Sequence, residues 1–359
     1  MMRWIAGLVP AFLLLAGCGG QGASTDGPDM ALLLADAPAA TLADYGFFMD
    51  AGADTPVEGV VPYDLINPLF SDHAIKHRFV FVPEGKAAAY SPDAVMDFPV
   101  GSALIKTFAF APDLRAPGVK EYKVETRVLI HKEDGWAAFP YIWNAEGTEA
   151  TYAPAGGHEM ISVIDPSGAA LTIDYAIPNK NQCKTCHQDG NAVLPIGPKA
   201  RNLNHEGPAG VNQIADWQAR GMFAGVPDSV PVAASISDLA LPVADRSRAY
   251  LDINCGHCHK ASGSASNSGL WLESGERDPV KLGLGKHPTA AGRGSGGITY
   301  VIAPGDPDHS IMPYRMSATE AGVAMPELGR SVIDAPGVAL VRAWIEDMDS
   351  GAGPAKESP

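Results

Sequence analysis

Two short motifs of identical spacing constrain this chain more than any other feature of its sequence. Cys183-Lys184-Thr185-Cys186-His187 and Cys255-Gly256-His257-Cys258-His259 each hold two cysteines three residues apart, with a histidine directly after the second. On a helical turn this spacing brings both thiols to one side, beside the imidazole. The pattern matches c-type haem attachment, in which the sulfurs form thioethers with the porphyrin and the histidine binds the iron. The sequence therefore predicts two covalent haem c groups, attached at Cys183, Cys186, Cys255 and Cys258, with His187 and His259 as axial ligands.

Other interpretations of the motifs stay open at this stage. A zinc site would draw both motifs into one cluster of four ligands. A thioredoxin-like pair would lie at the N-terminus of a helix that follows a central strand. Chance recurrence is the third alternative, and the exact repetition of the spacing counts against it.

The N-terminus predicts export and lipidation. An apolar run follows Arg3, is too short to span a bilayer, and ends in Leu15-Ala16-Gly17-Cys18. This ending resembles the bacterial lipoprotein cleavage box, which implies a signal peptide at 1–17 and a lipid anchor on Cys18. We expect a tether at 18–40 and a periplasm-facing protein of the cell envelope, with the outer membrane favoured over the inner. Haem c is attached outside the cytoplasm, so export agrees with the motifs.

Charge and composition exclude some partners and folds. The formal net charge of −15 opposes binding to nucleic acid and favours a basic partner protein. The chain of 359 residues predicts two or three folded units, and its 39 glycines and 30 prolines argue against a purely helical architecture.

The hydrophobic pattern divides the chain into unlike parts, and we predict a multi-domain protein with both α and β structure. Alternation from Tyr122 to Ile130, followed by the Asp134-Gly135 turn, predicts a hairpin within a β-sandwich-like unit at 41–178. A first haem c segment then covers 179–230. An α-helical, class I-like cytochrome c domain with the second haem is expected at 244–350, before a disordered tail at 351–359.

Electron-transfer haems usually have a sixth iron ligand, and Met325 is the candidate for the second haem. It follows His259 by 66 residues and precedes the final helix, and Pro326 restricts its backbone. Met312, Met316 and Met348 are rival candidates. The sixth ligand of the first haem is not identified by the sequence. Its candidates are His205, Met222, His158, His131, His77 and His73.

Several segments together resemble a family of bacterial dihaem c-type cytochromes, predicted lipoproteins with a β-rich N-terminal part and a C-terminal cytochrome c domain. In chain order, the segments that carry the resemblance are Asn67-Pro68-Leu69-Phe70-Ser71-Asp72 with Lys76 and Arg78, Ile177-Pro178, Arg201-Asn202-Leu203-Asn204, Tyr250-Leu251, Asn254-Cys255, Pro304-Gly305-Asp306-Pro307, Ser310, Arg315, Met325-Pro326, Gly329-Arg330 and Trp344-Ile345. The resemblance implies haem binding and electron transfer without an established substrate. Pro313 departs from the pattern, because it falls inside an expected helix.

We therefore predict a membrane-anchored electron carrier, not an enzyme, that passes electrons from an upstream donor, such as a periplasmic dehydrogenase, to a downstream acceptor. The alternative is a dihaem peroxidase-like enzyme that reduces hydrogen peroxide. A binding module that uses haem only as a structural element is a third hypothesis.

Overall fold

A computed structural model describes residues 27–348 of the chain. The predicted signal peptide at 1–17, the lipid anchor Cys18 and the tail at 351–359 lie outside these residues. The seven α-helices of the described chain are α1 Met30–Leu34, α2 Lys180–His187, α3 Ala200–Leu203, α4 Gln213–Ala219, α5 Val243–Asn254, α6 Ile311–Met316 and α7 Ala335–Glu346. The strands are β1 Val60–Tyr63, β2 Ile75–Phe81, β3 Ala88–Ala89, β4 Ala103–Phe110, β5 Tyr122–Lys132, β6 Gly135–Trp143, β7 Ala150–Tyr152, β8 Gly157–Ile164, β9 Ala170–Ile177, β10 Gln188–Asp189, β11 Ala192–Val193 and β12 Phe223–Ala224.

A six-stranded antiparallel sheet dominates the structure, in the order β1-β2-β4-β5-β6-β7. Along each strand of the sheet, successive side chains point to opposite faces. On one face, which we call the apolar face, Phe79, Ile105, Val128 and Phe139 join a core with α1. The opposite face, called here the motif face, buries Val80, Leu104, Leu129 and Ala138 together with Cys183 of α2.

The segment after the sheet covers the motif face. This segment, from α2 to β12, packs against the motif face in one core, to which it contributes Leu203, Ile214, Trp217 and Phe223. Strand β12 also pairs with β3. A separate hairpin of β8 and β9 packs against the end of the sheet through a third core, which includes Phe108 and Tyr175.

The C-terminal part folds around the contact between α5 and α7. Asp334 caps α7 by accepting a hydrogen bond from the Gly337 N–H, and it also accepts one from the Tyr250 hydroxyl at 2.9 Å. A Cβ atom on Gly337 would lie 2.4 Å from the Tyr250 hydroxyl, so only glycine allows the two helices to approach this closely.

The predicted fold class is wrong in its helical part. The described chain is β-rich, since its strands cover more residues than its α-helices, and its largest element is the antiparallel sheet. No class I helical cytochrome c domain is evident in the described part of 244–350, which has only α5, α6 and α7 among long loops. The physical reason is the dense glycine and proline between α5 and α7, which breaks the backbone into turns.

The predicted tether at 18–40 also differs from the structure. Residues Met30–Leu34 form α1, capped by the Asp29 carboxylate, and Leu33 is fully buried in the core under the apolar face. The apolar residues of α1 therefore belong to the folded unit. No helix in residues 27–348 has the length and hydrophobicity needed to cross a membrane.

Candidate cofactor-attachment site

The first motif lies entirely on α2. Asn179 accepts hydrogen bonds from the first turn of the helix, while the Gln182 side chain accepts one from the Asn179 N–H. This capping box fixes where the helix begins. Cys183 and Cys186 then share one face of the helix, and Cys183 is buried against the sheet. His187 is the last helical residue, one turn beyond Cys183.

The second motif continues directly from the end of α5. Cys255 is the C-cap residue, and its carbonyl accepts hydrogen bonds from the N–H groups of Cys258 (3.1 Å) and His259 (2.9 Å). The motif thus keeps one helical turn after the helix ends. Gly256 makes this close packing possible, since a Cβ there would lie 2.8 Å from the carbonyl oxygen of Asp252.

The two motifs lie against each other. The thiol groups of Cys186 and Cys258 are close enough to affect each other's ionisation, which lowers the pKa of Cys258 and raises that of Cys186. Lys260, directly after the second motif, forms an ion pair at 2.8 Å with Asp189, which follows the first motif by two residues. The Gly190 N–H also donates to the Ser262 carbonyl at 2.7 Å. Residues far apart in sequence therefore form one compact site.

The tautomer of His187 follows from its hydrogen bond. Its Nδ1 atom lies 2.7 Å from the carbonyl oxygen of Leu194, which can only accept, so Nδ1 carries the proton. Burial lowers the pKa of His187 to about 3, which keeps the ring neutral. The lone pair on Nε2 is then available to a metal, as in haem proteins where a backbone carbonyl orients the proximal imidazole.

His259 reaches the same state through Ser268. The Ser268 hydroxyl donates its single hydrogen to the Ala265 carbonyl at 2.7 Å. It must therefore accept from Nδ1–H of His259, 3.1 Å away. Burial lowers the pKa of His259 to about 4. Both motif histidines are thus neutral rings with the proton on Nδ1.

These observations test whether haem c fits the residues present. Each motif supplies two thiols on one helical turn and an imidazole with an available Nε2, which is the donor set that haem c needs. The Nδ1 atom of His257, between the second pair of cysteines, is buried and has no hydrogen-bond partner in the described chain. By contrast, no three metal-binding side chains of residues 27–348 converge on a point that could hold a bare ion, so a preformed zinc cluster is not present there.

Met325 lies in the loop between α6 and α7, where two arginines hold its backbone. Its N–H donates to the Arg315 carbonyl at 3.1 Å, and its carbonyl accepts from Arg330 at 2.9 Å. The Arg315 charge adds to burial in lowering the pKa of His259. Met325 is thus hydrogen-bonded to the residue whose charge also acts on His259.

The candidates for the sixth ligand of the first haem differ in their surroundings and in their hydrogen-bond partners. Met222 is buried in the same core cluster as Cys183. His205 is hydrogen-bonded to Gln213, and His131 is stacked on Trp136 with its Nδ1 bonded to the Phe98 carbonyl. Two further histidines pair with carboxylates, His77 with Glu121 and His158 with Asp174. The ring of His73 packs edge-on against Phe70.

Sequence reasoning missed the groups that orient the histidines. Leu194 acts through its backbone carbonyl, so its side-chain type carries no signal. Ser268 acts through a hydroxyl in a 3-10 helical turn, Ser266–Ser268, nine residues after the histidine. The serine-rich stretch after the second motif was visible in the sequence, but its spacing fits no known motif.

Comparisons with family models, with curated proteins and with solved structures find no match to this chain.

Proposed function

We propose that this chain is a dihaem c-type cytochrome of the cell envelope that relays electrons between an upstream donor and a downstream acceptor. The observation that carries the proposal is the state of His187 and His259. Each follows a correctly spaced pair of cysteines, is neutral, and has its proton on Nδ1, so the lone pair of Nε2 would be available to an iron. A c-type haem, when bound, supplies a one-electron carrier.

The residues of the chain have separate tasks in this proposal. Cys183, Cys186, Cys255 and Cys258 form the thioether bonds. The Leu194 carbonyl and the Ser268 hydroxyl hold the imidazoles in the tautomer that can bind iron. Met325 is proposed as the sixth ligand of the second iron, with Arg315 and Arg330 fixing the loop that presents it.

Contact between the motifs supports transfer of electrons within the chain. Thioether sulfurs attach to the edge of a porphyrin, and the sulfurs of Cys186 and Cys258 are neighbours in this structure. The two attached edges would then be close together, without a long protein path between them. An electron accepted at one haem has a short route to the other.

Membrane attachment through a lipid on Cys18 is part of the same proposal, with the folded chain facing the periplasm and the outer membrane as the favoured location. The net charge of −15 favours basic redox partners. Replacement of Cys18 by alanine should move the protein from the membrane to the soluble fraction, or leave the precursor unprocessed. A wild-type protein without acyl groups by mass would contradict the anchor.

Haem attachment is tested by intact mass after production in a host that matures c-type cytochromes. The wild-type mass should exceed that of the polypeptide by two haem groups, and the double variant Cys183→Ala, Cys186→Ala should keep only one. Thr185→Ala, between the two cysteines, is the matched control and should keep both. An unmodified polypeptide, or stoichiometric zinc, would refute the proposal.

A further inference from the structure

A row of positive side chains crosses the motif face of the sheet. Arg78 on β2 pairs in register with Lys106 on β4, and Lys106 pairs with Arg127 on β5. Lys76 is two residues from Arg78 on the same face. We call Lys76, Arg78, Lys106 and Arg127 the cation row. The apolar face of the same strands carries Phe79, Ile105 and Val128 at the neighbouring positions.

The cation row is not balanced by acidic partners. Glu125 is fully buried and pairs with Arg127, whose guanidinium donates to both carboxylate oxygens. Arg78 has a 5% exposed side chain, but its carboxylate partner Asp64 lies 3.2 Å away and is 56% exposed. Two carboxylates of the described residues thus form ion pairs within a row of four basic side chains, and burial lowers the pKa of Lys76 to about 7 and that of Lys106 well below its usual value.

The two lysines of the row have no carboxylate partner in the described chain. The Lys76 ammonium donates to the Ala74 carbonyl at 3.1 Å. The Lys106 ammonium forms neither a hydrogen bond nor an ion pair with residues 27–348, and it lies 4.7 Å from the ring centroid of Phe108. Both side chains are partly buried, and a cation held there without a counter-charge is destabilising.

The nearest additional carboxylates are committed elsewhere. Asp72 accepts hydrogen bonds from the N–H groups of Ser331 and Val332. Asp334 caps α7 and accepts from Tyr250. Neither forms an ion pair with the cation row, and both attract Lys76 only at longer range. Lys106 is therefore the member of the row that lacks both a hydrogen bond and an ion pair within residues 27–348.

The cation row adjoins the first motif. Cys183 packs in one core cluster with Leu104 and Leu129, and these residues are the same-face neighbours of Lys106 and Arg127 along their strands. Helix α2 therefore lies on the face that carries the row. Helix α2 contacts β6, and the row runs from β5 across β4 to β2. A haem attached to α2 by its thioether edge and lying over this face of the sheet would direct its opposite edge, which carries two propionate carboxylates, toward the row.

We propose that the cation row is a carboxylate-binding site, centred on Lys106, Arg78 and Lys76, that holds the propionates of the first haem. This inference rests on the proposed function. A free small dicarboxylate would offer the same chemistry, so the experiment must separate the two sources.

The first arm compares Lys106→Met, Lys106→Arg and Lys123→Met as purified dihaem proteins. Lys123 lies on β5 outside the row and pairs with Asp54, so it is the matched control. Loss of the Lys106 charge leaves a propionate uncompensated, which stabilises Fe(III). One of the two reduction steps should therefore fall in potential in Lys106→Met, together with a shift of a propionate bending band in the resonance Raman spectrum. Lys106→Arg should restore both readouts, and Lys123→Met should change neither.

The step that moves should not be the one that Met325→Ala moves, since Met325 belongs to the second haem. If Lys106→Met does not accumulate, Lys76→Met removes the other ammonium that lacks a carboxylate and is tested in the same way. A dihaem protein with unshifted bands and potentials in these variants would overturn the inference while the proposed function stands. If intact mass shows no covalent haem on the protein, the proposed function itself is refuted.

The second arm adds succinate to wild-type dihaem protein at constant ionic strength and follows thermal unfolding. No change in the midpoint is expected, because the propionates already occupy the row. A saturable rise in the midpoint that is absent from Lys106→Met would assign the row to a free dicarboxylate and overturn the propionate assignment.

Discussion

The position of one proton on each motif histidine decides whether its imidazole can bind a metal. For His187 the acceptor is a backbone carbonyl, and for His259 it is a serine whose own hydrogen is already donated. The two acceptors are chemically different, but both stabilise the tautomer with the proton on Nδ1. The side chain of Ser268 can be removed by mutation, so its contribution is directly measurable.

Replacement of Ser268 by alanine should leave Nδ1–H of His259 without its acceptor. A hydrogen bond from Nδ1 makes the imidazole a stronger donor and favours Fe(III), so its loss should raise the potential of the second haem. Stability should fall by about 1–3 kcal/mol, the usual cost of an unsatisfied buried donor. Spectroelectrochemical titration and denaturant unfolding measure the two effects. Ser266→Ala, at an exposed position in the same turn, is the control, and equal behaviour of both variants would refute the role of Ser268.

Replacement of Met325 by alanine should open one position on the second iron. Thioether sulfur favours Fe(II), so that haem should fall in potential and should gain binding of carbon monoxide. Met325→His should restore six-coordination at a lower potential than the wild type. Met312→Leu, in the adjacent helix α6, should behave as the wild type. A wild-type spectrum for Met325→Ala would transfer the assignment to Met316 or Met312.

At the level of helices and strands, several elements could be predicted because their signals are local. The β5–β6 hairpin follows from alternation and a turn at Asp134-Gly135, and α7 begins where Asp334 and Pro336 predict it. Helix α6, Ile311–Met316, includes Pro313 near its start, where the missing N–H is tolerated.

The buried charges of β5 could not be predicted in this way. Alternation marks Glu125 and Arg127 as outward-facing polar residues, whereas Glu125 is fully buried. The reason is that later parts of the chain cover this face of the sheet: Tyr175 of β9 donates a hydrogen bond to the Glu125 carboxylate at 2.6 Å, and the segment from α2 to β12 covers the rest. A sequence pattern shows which residues share a face, but not whether a later part of the chain covers that face.

Helix α5 is joined to the chain before it by a buried ion cluster. Asp252 accepts from Lys199 at 2.9 Å and from Arg201 at 2.7 Å, and all three side chains are about a tenth exposed or less. Burial alone raises the pKa of Asp252, but the charges of Lys199 and Arg201 outweigh it and lower the pKa from 3.8. The segment that follows the first motif and the helix that leads into the second motif are thereby fixed to each other.

Replacement of Asp252 by asparagine should destabilise the protein by about 3–5 kcal/mol at neutral pH, because two buried cations lose their carboxylate. The folded pKa of Asp252 is lowered, so its contribution is present above 3.8 and is lost as the pH falls through the folded value. The variant should lack this part of the acid dependence in denaturant unfolding. Asp245→Asn, exposed in the first turn of α5, should change stability by no more than about 0.5 kcal/mol. Equal stability of the two variants would contradict the role of the cluster.

At the scale of the whole molecule, the contact between the two motifs is the feature that sequence could not reveal. The spacing identifies each motif, but the meeting of Cys186 with Cys258 depends on how two segments pack. The block from Asn67 to Asp72 contributes to this packing. Asn67 exchanges hydrogen bonds with Asn202, the Phe70 N–H donates to Asn254, and Asp72 accepts from the loop before α7. The β-rich part therefore holds both motif-bearing segments in place.

The whole protein should behave as an electron carrier whose encounters depend on charge. With a net charge of −15, electron exchange with a basic partner, such as a small basic cytochrome, should slow as salt is raised, since steering is screened within about 10 Å at 0.1 M. Stopped-flow reduction at several ionic strengths measures this dependence. An acidic flavodoxin-like donor should show the opposite trend, because salt screens its repulsion. A rate with a basic partner that does not change with salt would contradict electrostatic steering.

Peroxide separates the electron carrier from the peroxidase-like alternative. If both irons have six ligands, hydrogen peroxide has no position to bind, and mixing it with half-reduced protein should produce no rapid turnover. In a peroxidase, one iron would become high-spin after partial reduction, and oxidation of an electron donor would saturate with peroxide. Met325→Ala supplies the internal control, because an opened second iron should react where the wild type does not. Rapid turnover by the wild-type protein, abolished by replacement of His187, would assign the catalytic reaction to the first haem and replace the electron-carrier proposal.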